Sequence, residues 1–205
     1  MKSDVSIINY GLGNIAAFKN IYNNLNISSN IASTIQDIED STRLILPGVG
    51  SFDWAMNKIS NSNLKDVINY KVKEEKIPIL GVCVGMQIMA KSSEEGILEG
   101  FGWIDGRVIK MQLPNQYRNP LPHMGWNDIQ ISDSLKLFDG LPNQKFYFLH
   151  SYQFVPNDSA SEIATTHYGN DFCSAVNSGN IYGVQFHPEK SHEWGINLLK
   201  NFAKI

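Results

Sequence analysis

The sequence predicts an α/β fold: a mostly parallel central sheet with flanking helices, extended by an added antiparallel portion. Three observations predict it. Through residues 5–90, short apolar runs alternate with stretches of helical periodicity. Those apolar runs end in glycine-bearing turns. Beyond residue 101, short runs follow one another with only turn formers between them, the pattern of antiparallel pairing.

Val5 to Ile8 is a first strand, closed by the turn Asn9-Tyr10-Gly11-Leu12-Gly13-Asn14. Ile15, Phe18, Ile21, Tyr22 and Leu25 then recur at helical spacing. Ile27 to Ala32 is a second strand, and Leu44 to Leu46 a third that ends in Pro47-Gly48-Val49-Gly50. That turn lacks the Gly-Lys-Ser/Thr ending of a phosphate loop. It is either an ordinary strand-to-helix turn or a set of exposed backbone N–H groups facing a developing oxyanion. Gly102 to Met111, Gly125 to Ile131, Phe146 to Val155 and Glu162 to His167 read as short strands, with turns such as Leu141-Pro142-Asn143 between them. With no repeat, linker or low-complexity tract, residues 1–205 form one predicted domain.

The bulk numbers narrow the function. Apolar residues make up 42% of 205, enough for a sizeable core. A net charge of −3 without a basic run argues against a nucleic-acid partner. No apolar run is long enough to span a bilayer, and the first residues lack the apolar core of a signal peptide, so no membrane partner is expected. Two cysteines do not make a disulfide framework, which points to a cytoplasmic protein with free thiols. No metal and no cofactor is expected.

Two stretches carry chemistry. Ile77 to Val82 reads as a buried strand and Val84 to Ala90 as the start of a helix, with Cys83 between them and Gly81 and Gly85 two residues to either side. This is a strand–turn–helix elbow with a thiol at its tip. Glycines permit strained backbone angles and leave space, and the helix N-terminus favours thiolate. The alternative is a buried cysteine beside packing glycines. The second stretch is Tyr182-Gly183-Val184-Gln185-Phe186-His187-Pro188-Glu189-Lys190-Ser191. Ile181 to Phe186 reads as a strand, and an extended chain would project His187 and Glu189 to one side, where a carboxylate orients an imidazole base. Asp128, Asp171 and Glu193 have no such placement. Glu95, in the polar turn after the elbow, either binds a substrate ammonium or is a surface acid. Cys173 reads as a small buried hydrophobe.

The two motifs Gly81-Val-Cys83-Val-Gly85-Met-Gln87 and Gly183-Val-Gln-Phe-His187-Pro-Glu189 resemble those of triad-type, class I glutamine amidotransferases. The likeness spans nearly the whole chain. Asn9 to Asn14, Pro47 to Gly50, Pro122-His-Met-Gly-Trp-Asn127 and Phe146-Tyr-Phe-Leu-His-Ser-Tyr152 look like the glutaminase subunits of imidazole glycerol phosphate synthases. The resemblance implies that Cys83 attacks L-glutamine to give a glutamyl thioester and ammonia, with His187 as acid–base and Glu189 as its partner. It implies an oxyanion hole from Gly48, Val49, Gly50 and Val84, and glutamine contacts from Gln87, Glu95, Tyr147, Ser151 and Tyr152. Asn14, Met124, Trp126 and Lys190 match positions at an interface with a cyclase β/α barrel that receives the ammonia for histidine biosynthesis. Such subunits stay nearly silent until the partner binds substrate, which makes a peptide flip in Pro47–Gly50 the implied switch.

Rival readings keep different parts of this. A paralogous subunit would feed ammonia to an enzyme amidating a nucleotide-linked surface sugar. A non-catalytic regulatory module would have lost a triad member, and all three are present. A cysteine peptidase would need an open groove rather than a pocket for one amino acid. Amidotransferases of anthranilate or guanylate synthesis share the triad but not His-Met-Gly-Trp-Asn.

Overall fold

The structure, a computed structural model, describes residues 4–114, 120–132, 135–141 and 144–205. Pro142 and Asn143 of the turn predicted at 141–143 lie outside the described residues. In chain order the first half runs β1 (Val5–Ile8), α1 (Ile15–Asn24), β2 (Ser29–Ala32), α2 (Ile35–Glu39), β3 (Leu44–Gly48), α3 (Phe52–Asn61), α4 (Lys65–Lys73), β4 (Ile79–Cys83) and α5 (Val84–Gln87). The second half runs β5 (Ser92–Ser93), β6 (Gly106–Lys110), β7 (His123–Asp128), β8 (Gln130–Ile131), β9 (Lys145–His150), β10 (Tyr152–Pro156), β11 (Glu162–Tyr168), β12 (Asn170–Ser178), β13 (Ile181–Val184) and α6 (His192–Phe202).

Among the described residues, eleven strands make one sheet in the order β2-β1-β3-β4-β13-β12-β10-β6-β5, with β11 on β12 and β8 on β11. The stretch from β2 to β13 is parallel throughout. From β13 the pairing turns antiparallel through β12 and β10 to β6. This is the predicted α/β architecture. Every residue of β1, β3 and β4 is buried, as expected of parallel strands covered on both faces. α1 packs Phe18 and Tyr22 inward, and the Tyr22 hydroxyl donates to the Leu199 carbonyl of α6 at 3.1 Å, tying the chain's two ends together.

The antiparallel half departs from the sequence reading in its boundaries. Gly102 to Met111 is a strand only from Gly106 to Lys110, because Gly102 sits at φ +62 in a turn that folds back on the elbow. Its amide donates to the Ala90 carbonyl at 3.1 Å. Gly125 to Ile131 is two strands, β7 and β8, separated at Ile129. Phe146 to Val155 also splits. β9 pairs with β7 in a separate two-stranded sheet, whereas β10 joins the main sheet, and Ser151 is the break. β12, the long strand that carries the antiparallel half, went unrecognised because Asn170-Asp171 at its start and Ser174 within it interrupt the apolar alternation.

Candidate active site

The cleft lies where three neighbouring parallel strands end together: β3 at Gly48, β4 at Cys83 and β13 just before His187. Gly48 is in register with Cys83 across the β3–β4 pair. Crevices at the carboxyl ends of such strands are where open α/β sheets bind ligands. The cleft encloses about 310 Å³, at the small end of the range for ligand pockets. Val49, Gly50, Cys83, Val84, Gln87, Glu95, Ser151, Tyr152, His187 and Lys190 line it, so residues from all four predicted groups meet there.

Cys83 is the residue under backbone strain, at φ 55 and ψ −113, so the left-handed angle falls on the cysteine and not on its glycines. The glycines supply space instead. A Cβ on Gly85 would stand 1.9 Å from the Leu46 carbonyl oxygen, and one on Gly81 would meet the Gly85 carbonyl at 2.6 Å. The helix after the elbow is one turn, Val84–Gln87, shorter than the predicted span to Ala90. Met89 and Ala90 donate to carbonyls three residues back, tightening the end of the turn.

His187 and Glu189 form the predicted pair, but not on an extended chain. β13 stops at Val184, and Pro188–Lys190 is a turn of 3₁₀ helix that folds the carboxylate back onto the ring. Nδ1 of His187 lies 2.8 Å from Oε1 of Glu189, and both side chains are buried. The imidazole also interacts with the neighbouring Cys83 side chain. Burial alone would lower the His187 pKa; the neighbouring Cys83 sulfur and the Glu189 carboxylate outweigh it and carry it up to about 10. Oε2 of Glu189 is buried without a protein partner. A thiol, an imidazole and a dry carboxylate in this order can hold a thiolate–imidazolium pair and attack an electrophilic carbonyl carbon.

The Pro47–Gly50 turn is braced from β1. The Tyr10 hydroxyl donates to the Pro47 carbonyl at 2.7 Å, and Gly13, at φ +93, abuts the Pro47 ring closely enough to exclude a Cβ. Burial first, and the neighbouring Cys83 second, push the Tyr10 pKa upwards, so it stays a neutral donor. Gly50 sits at φ +89 against the Trp54 ring. Gly48 does not line the cleft; it lies behind the elbow, where a Cβ would meet the Gly85 amide nitrogen at 2.3 Å.

Glu95 is not a free surface acid. Its Oε2 accepts the Phe52 N–H at 2.8 Å, which holds it at the first turn of α3 and at the cleft wall. Gln87, 3% exposed, donates both hydrogens of Nε2, to the Tyr152 carbonyl at 3.1 Å and to Oε1 of Gln185 at 2.9 Å. Tyr147 departs from expectation. Alternation along β9 sends Phe146, Phe148 and His150 inward and leaves Tyr147 outside the cleft, edge-on to Trp126 at 6.2 Å and beneath Lys190 Nζ at 5.6 Å.

The predicted interface positions split. Met124, 62% exposed, and Trp126, 40% exposed, stand on β7 opposite Leu149 and Tyr147 of β9, next to the cleft mouth that Leu149 and Lys190 line. Trp126 stacks on His192 at 5.1 Å and 7°. Asn14 caps α1 by accepting the Ala17 N–H at 3.3 Å. Cys173 is buried as expected, and burial pushes its pKa well up. Asp171 pairs with His167 at 2.7 Å on the surface, away from the cleft. Among the described residues no group of His, Cys, Asp and Glu could hold a metal ion, and no helix is long and apolar enough to cross a membrane.

Sequence reasoning missed Tyr10, His150 and Gln185. His150 and His123 meet edge-on in the interior between β9 and β7, with His123 Nδ1 3.0 Å from His150 Nε2. Burial lowers His123 to about 4 and His150 to about 3. The only available signal was one histidine, His150, inside a run read as strand and another, His123, two residues before one.

A family model described as glutamine amidotransferase class-I matches residues 6–205. Imidazole glycerol phosphate synthase subunit HisH of Bdellovibrio bacteriovorus is 46% identical over 203 residues, covering 98% of this chain and 100% of that protein. The subunit HisH of Leptospira borgpetersenii is 47% identical with the same coverage. Imidazole glycerol phosphate synthase hisHF, chloroplastic, of Arabidopsis thaliana is 36% identical over 98% of this chain, which aligns to 34% of that longer protein. In fold, the chain matches a solved glutamine amidotransferase with a TM-score of 0.73 at 18% identity, covering 98% of this chain and 99% of that one. The chain belongs to the class-I glutamine amidotransferase family.

Proposed function

We propose that this chain is the glutaminase subunit of an imidazole glycerol phosphate synthase, acting as one unit over residues 1–205 in the cytoplasm. The observation that carries the reading is the convergence of Cys83, His187 and Glu189 at one cleft, in a chain 46% identical to a HisH subunit along nearly its full length. The free state of both cysteines supports the compartment.

In this reading Cys83 attacks the carboxamide carbon of L-glutamine. His187 takes the thiol proton and passes it to the leaving nitrogen, and ammonia departs from a glutamyl thioester. Water, deprotonated by the same imidazole, then releases glutamate. Glu189 holds Nδ1 and stabilises the imidazolium. The Val84 N–H and the Val49–Gly50 backbone receive the oxyanion, with the Pro47–Gly50 turn as the gate. Both N–H groups of Gln87 are engaged, which leaves its carbonyl oxygen and the Glu95 carboxylate for the substrate ammonium. Ser151 and Tyr152 hold the carboxylate end. Tyr147 belongs with the docking face rather than the pocket.

The ammonia passes to a cyclase β/α barrel that docks over the cleft mouth, through Met124, Trp126 and Lys190, with Asn14 at the edge of the face. The exposed apolar side chains around that mouth support a protein partner there. The test is glutamate release by the chain alone and with the cognate barrel plus its ribulosyl substrate. Strong stimulation is expected; full activity of the isolated chain removes the gate, and no stimulation removes the partner. Cys83→Ala should end glutamine use and leave ammonia-driven synthesis by the partner intact. Lys190→Ala should weaken stimulation more than folding, and an unchanged complex with unchanged stimulation takes it off the interface.

A further inference from the structure

We propose that Gln185 is a fourth catalytic residue, whose side-chain N–H stabilises and aims the Cys83 thiolate. The inference rests on Cys83 being the nucleophile. Gln185 is 0% exposed, on the segment leading from β13 to His187, and its Nε2 lies 3.7 Å from Cys83 Sγ.

The orientation of that amide follows from its neighbours. The Tyr152 carbonyl can only accept, so the atom of Gln87 facing it at 3.1 Å is nitrogen. The second hydrogen on that nitrogen points to Gln185 at 2.9 Å, so Gln185 must present its oxygen there. Its nitrogen is left facing the sulfur. A flip of either amide would set like groups against each other. The Gln185 backbone is fixed as well, its N–H donating to the Ser174 carbonyl at 2.9 Å.

The donor discriminates between the two forms of the sulfur. A thiol can give its proton to the Leu149 carbonyl, 3.9 Å away, and gains little from a further N–H. A thiolate has no proton for that carbonyl and accepts from Gln185, a charge-assisted bond in a buried site. The other titratable or charged groups around the sulfur are His187 backed by Glu189, Tyr10, His150, and Glu95 and Lys190 at the cleft wall. Of these, His187 shares the proton, while Gln185 holds its hydrogens at every accessible pH. The same amide also connects the sulfur, through Gln87, to the wall of the pocket, so a substrate that reorients Gln87 alters the donor on the nucleophile.

The test is alkylation of Cys83 by iodoacetamide in the full chain from pH 5.5 to 10, read peptide by peptide so that buried Cys173 serves as the internal control. Gln185→Leu should alkylate about tenfold more slowly at pH 7 and converge with the unaltered chain at high pH. Gln185→Glu, which keeps the shape and replaces the donor by a carboxylate, should shift the profile further to high pH. Superposed profiles in either folded variant overturn the proposal. If both variants unfold, the side-chain amide signals of Gln185 in the unaltered protein decide. They should titrate with the thiol and stop doing so in Cys83→Ala, and signals that stay fixed overturn the proposal. A chain that alkylates as described but never hydrolyses glutamine refutes the glutaminase reading alone. Full glutaminase activity with superposed profiles refutes only the role of Gln185.

Discussion

Acid should destabilise this protein through two histidines that the chemistry does not use. His123 and His150 are 2% and 6% exposed and are neutral in the fold. The assignment of protons is forced. The Tyr152 carbonyl, 2.8 Å from His150 Nδ1, requires a proton there, so His150 Nε2 accepts from His123 Nδ1, and His123 Nε2 accepts from the Asn127 amide. An added proton would set two donors face to face. Burial holds the pair at about 4 and about 3, against 6.5 in an unfolded chain. Because the folded values lie below the unfolded one, the unfolded chain binds more protons, so the stability is intact above 6.5 and is lost as pH falls towards 4 and 3. At pH 5 each histidine then costs about 2 kcal/mol. His187 works in the opposite direction. Its folded value of about 10 exceeds the unfolded one, so its contribution is complete below 6.5 and is lost as pH rises through 10. Descending from pH 7.5 to 5 therefore returns about 1 kcal/mol, for a net loss of about 3 kcal/mol. Urea unfolding at the two pH values should show a midpoint about 1 M lower at pH 5. In His123→Gln, whose amide can still donate to His150 and accept from Asn127, about 2 kcal/mol of that loss should vanish. Equal midpoints at both pH values, or a variant as acid-sensitive as the parent, would refute the reasoning.

Three further perturbations test the site from different sides. Glu189→Gln should lower partner-stimulated glutamine turnover about a thousandfold with little change in melting, since the amide cannot stabilise the imidazolium; undiminished turnover would remove Glu189 from the triad. Gly85→Ala drives a Cβ to 1.9 Å from the Leu46 carbonyl oxygen and should cost about 3 kcal/mol or more, seen as a fallen melting temperature or insoluble protein. An alanine variant that melts like the parent would show that the elbow has slack. Tyr10→Phe strips the hydroxyl from the Pro47 carbonyl and should cost about 1 kcal/mol in unfolding experiments. If that bond positions the turn, stimulated glutaminase activity should fall several-fold; activity unchanged at normal stability would assign the hydroxyl a packing role only.

What could be read from the sequence was whatever depends on neighbours along the chain. β1, β3 and β4 were legible because a strand buried on both faces must be apolar at every position. The elbow was legible because its chemistry and its space requirement lie within seven residues, 81–87. His187 and Glu189 were found for a reason that is only half right: the residues are close in sequence, but a 3₁₀ turn brings them together, not strand alternation. Tyr147 was misplaced because its side depends on where β9 begins and on β9 leaving the main sheet for β7, which no local pattern announces. Gln185 and Tyr10 act on Cys83 and Pro47, 102 and 37 residues away, through single hydrogen bonds set by strand order. His123 and His150 meet only because β7 and β9 pair in that one register.

The three glycines around the elbow have a fate separate from that of the cysteine they surround. Side chains at Gly48, Gly81 and Gly85 would each press on backbone atoms of the adjoining strand or turn, at 2.3, 2.6 and 1.9 Å. Those collisions exist whether or not residue 83 reacts. A descendant that lost the thiol could replace Cys83 with any residue tolerating its backbone angle, yet it could not replace the glycines without rebuilding the junction of β3 and β4. The spacing of glycines thus records ancestry of the fold, and the sulfur alone records whether the chemistry is still practised. In a chain where the glycines persist and the cysteine has gone, the architecture has been retained for some other use.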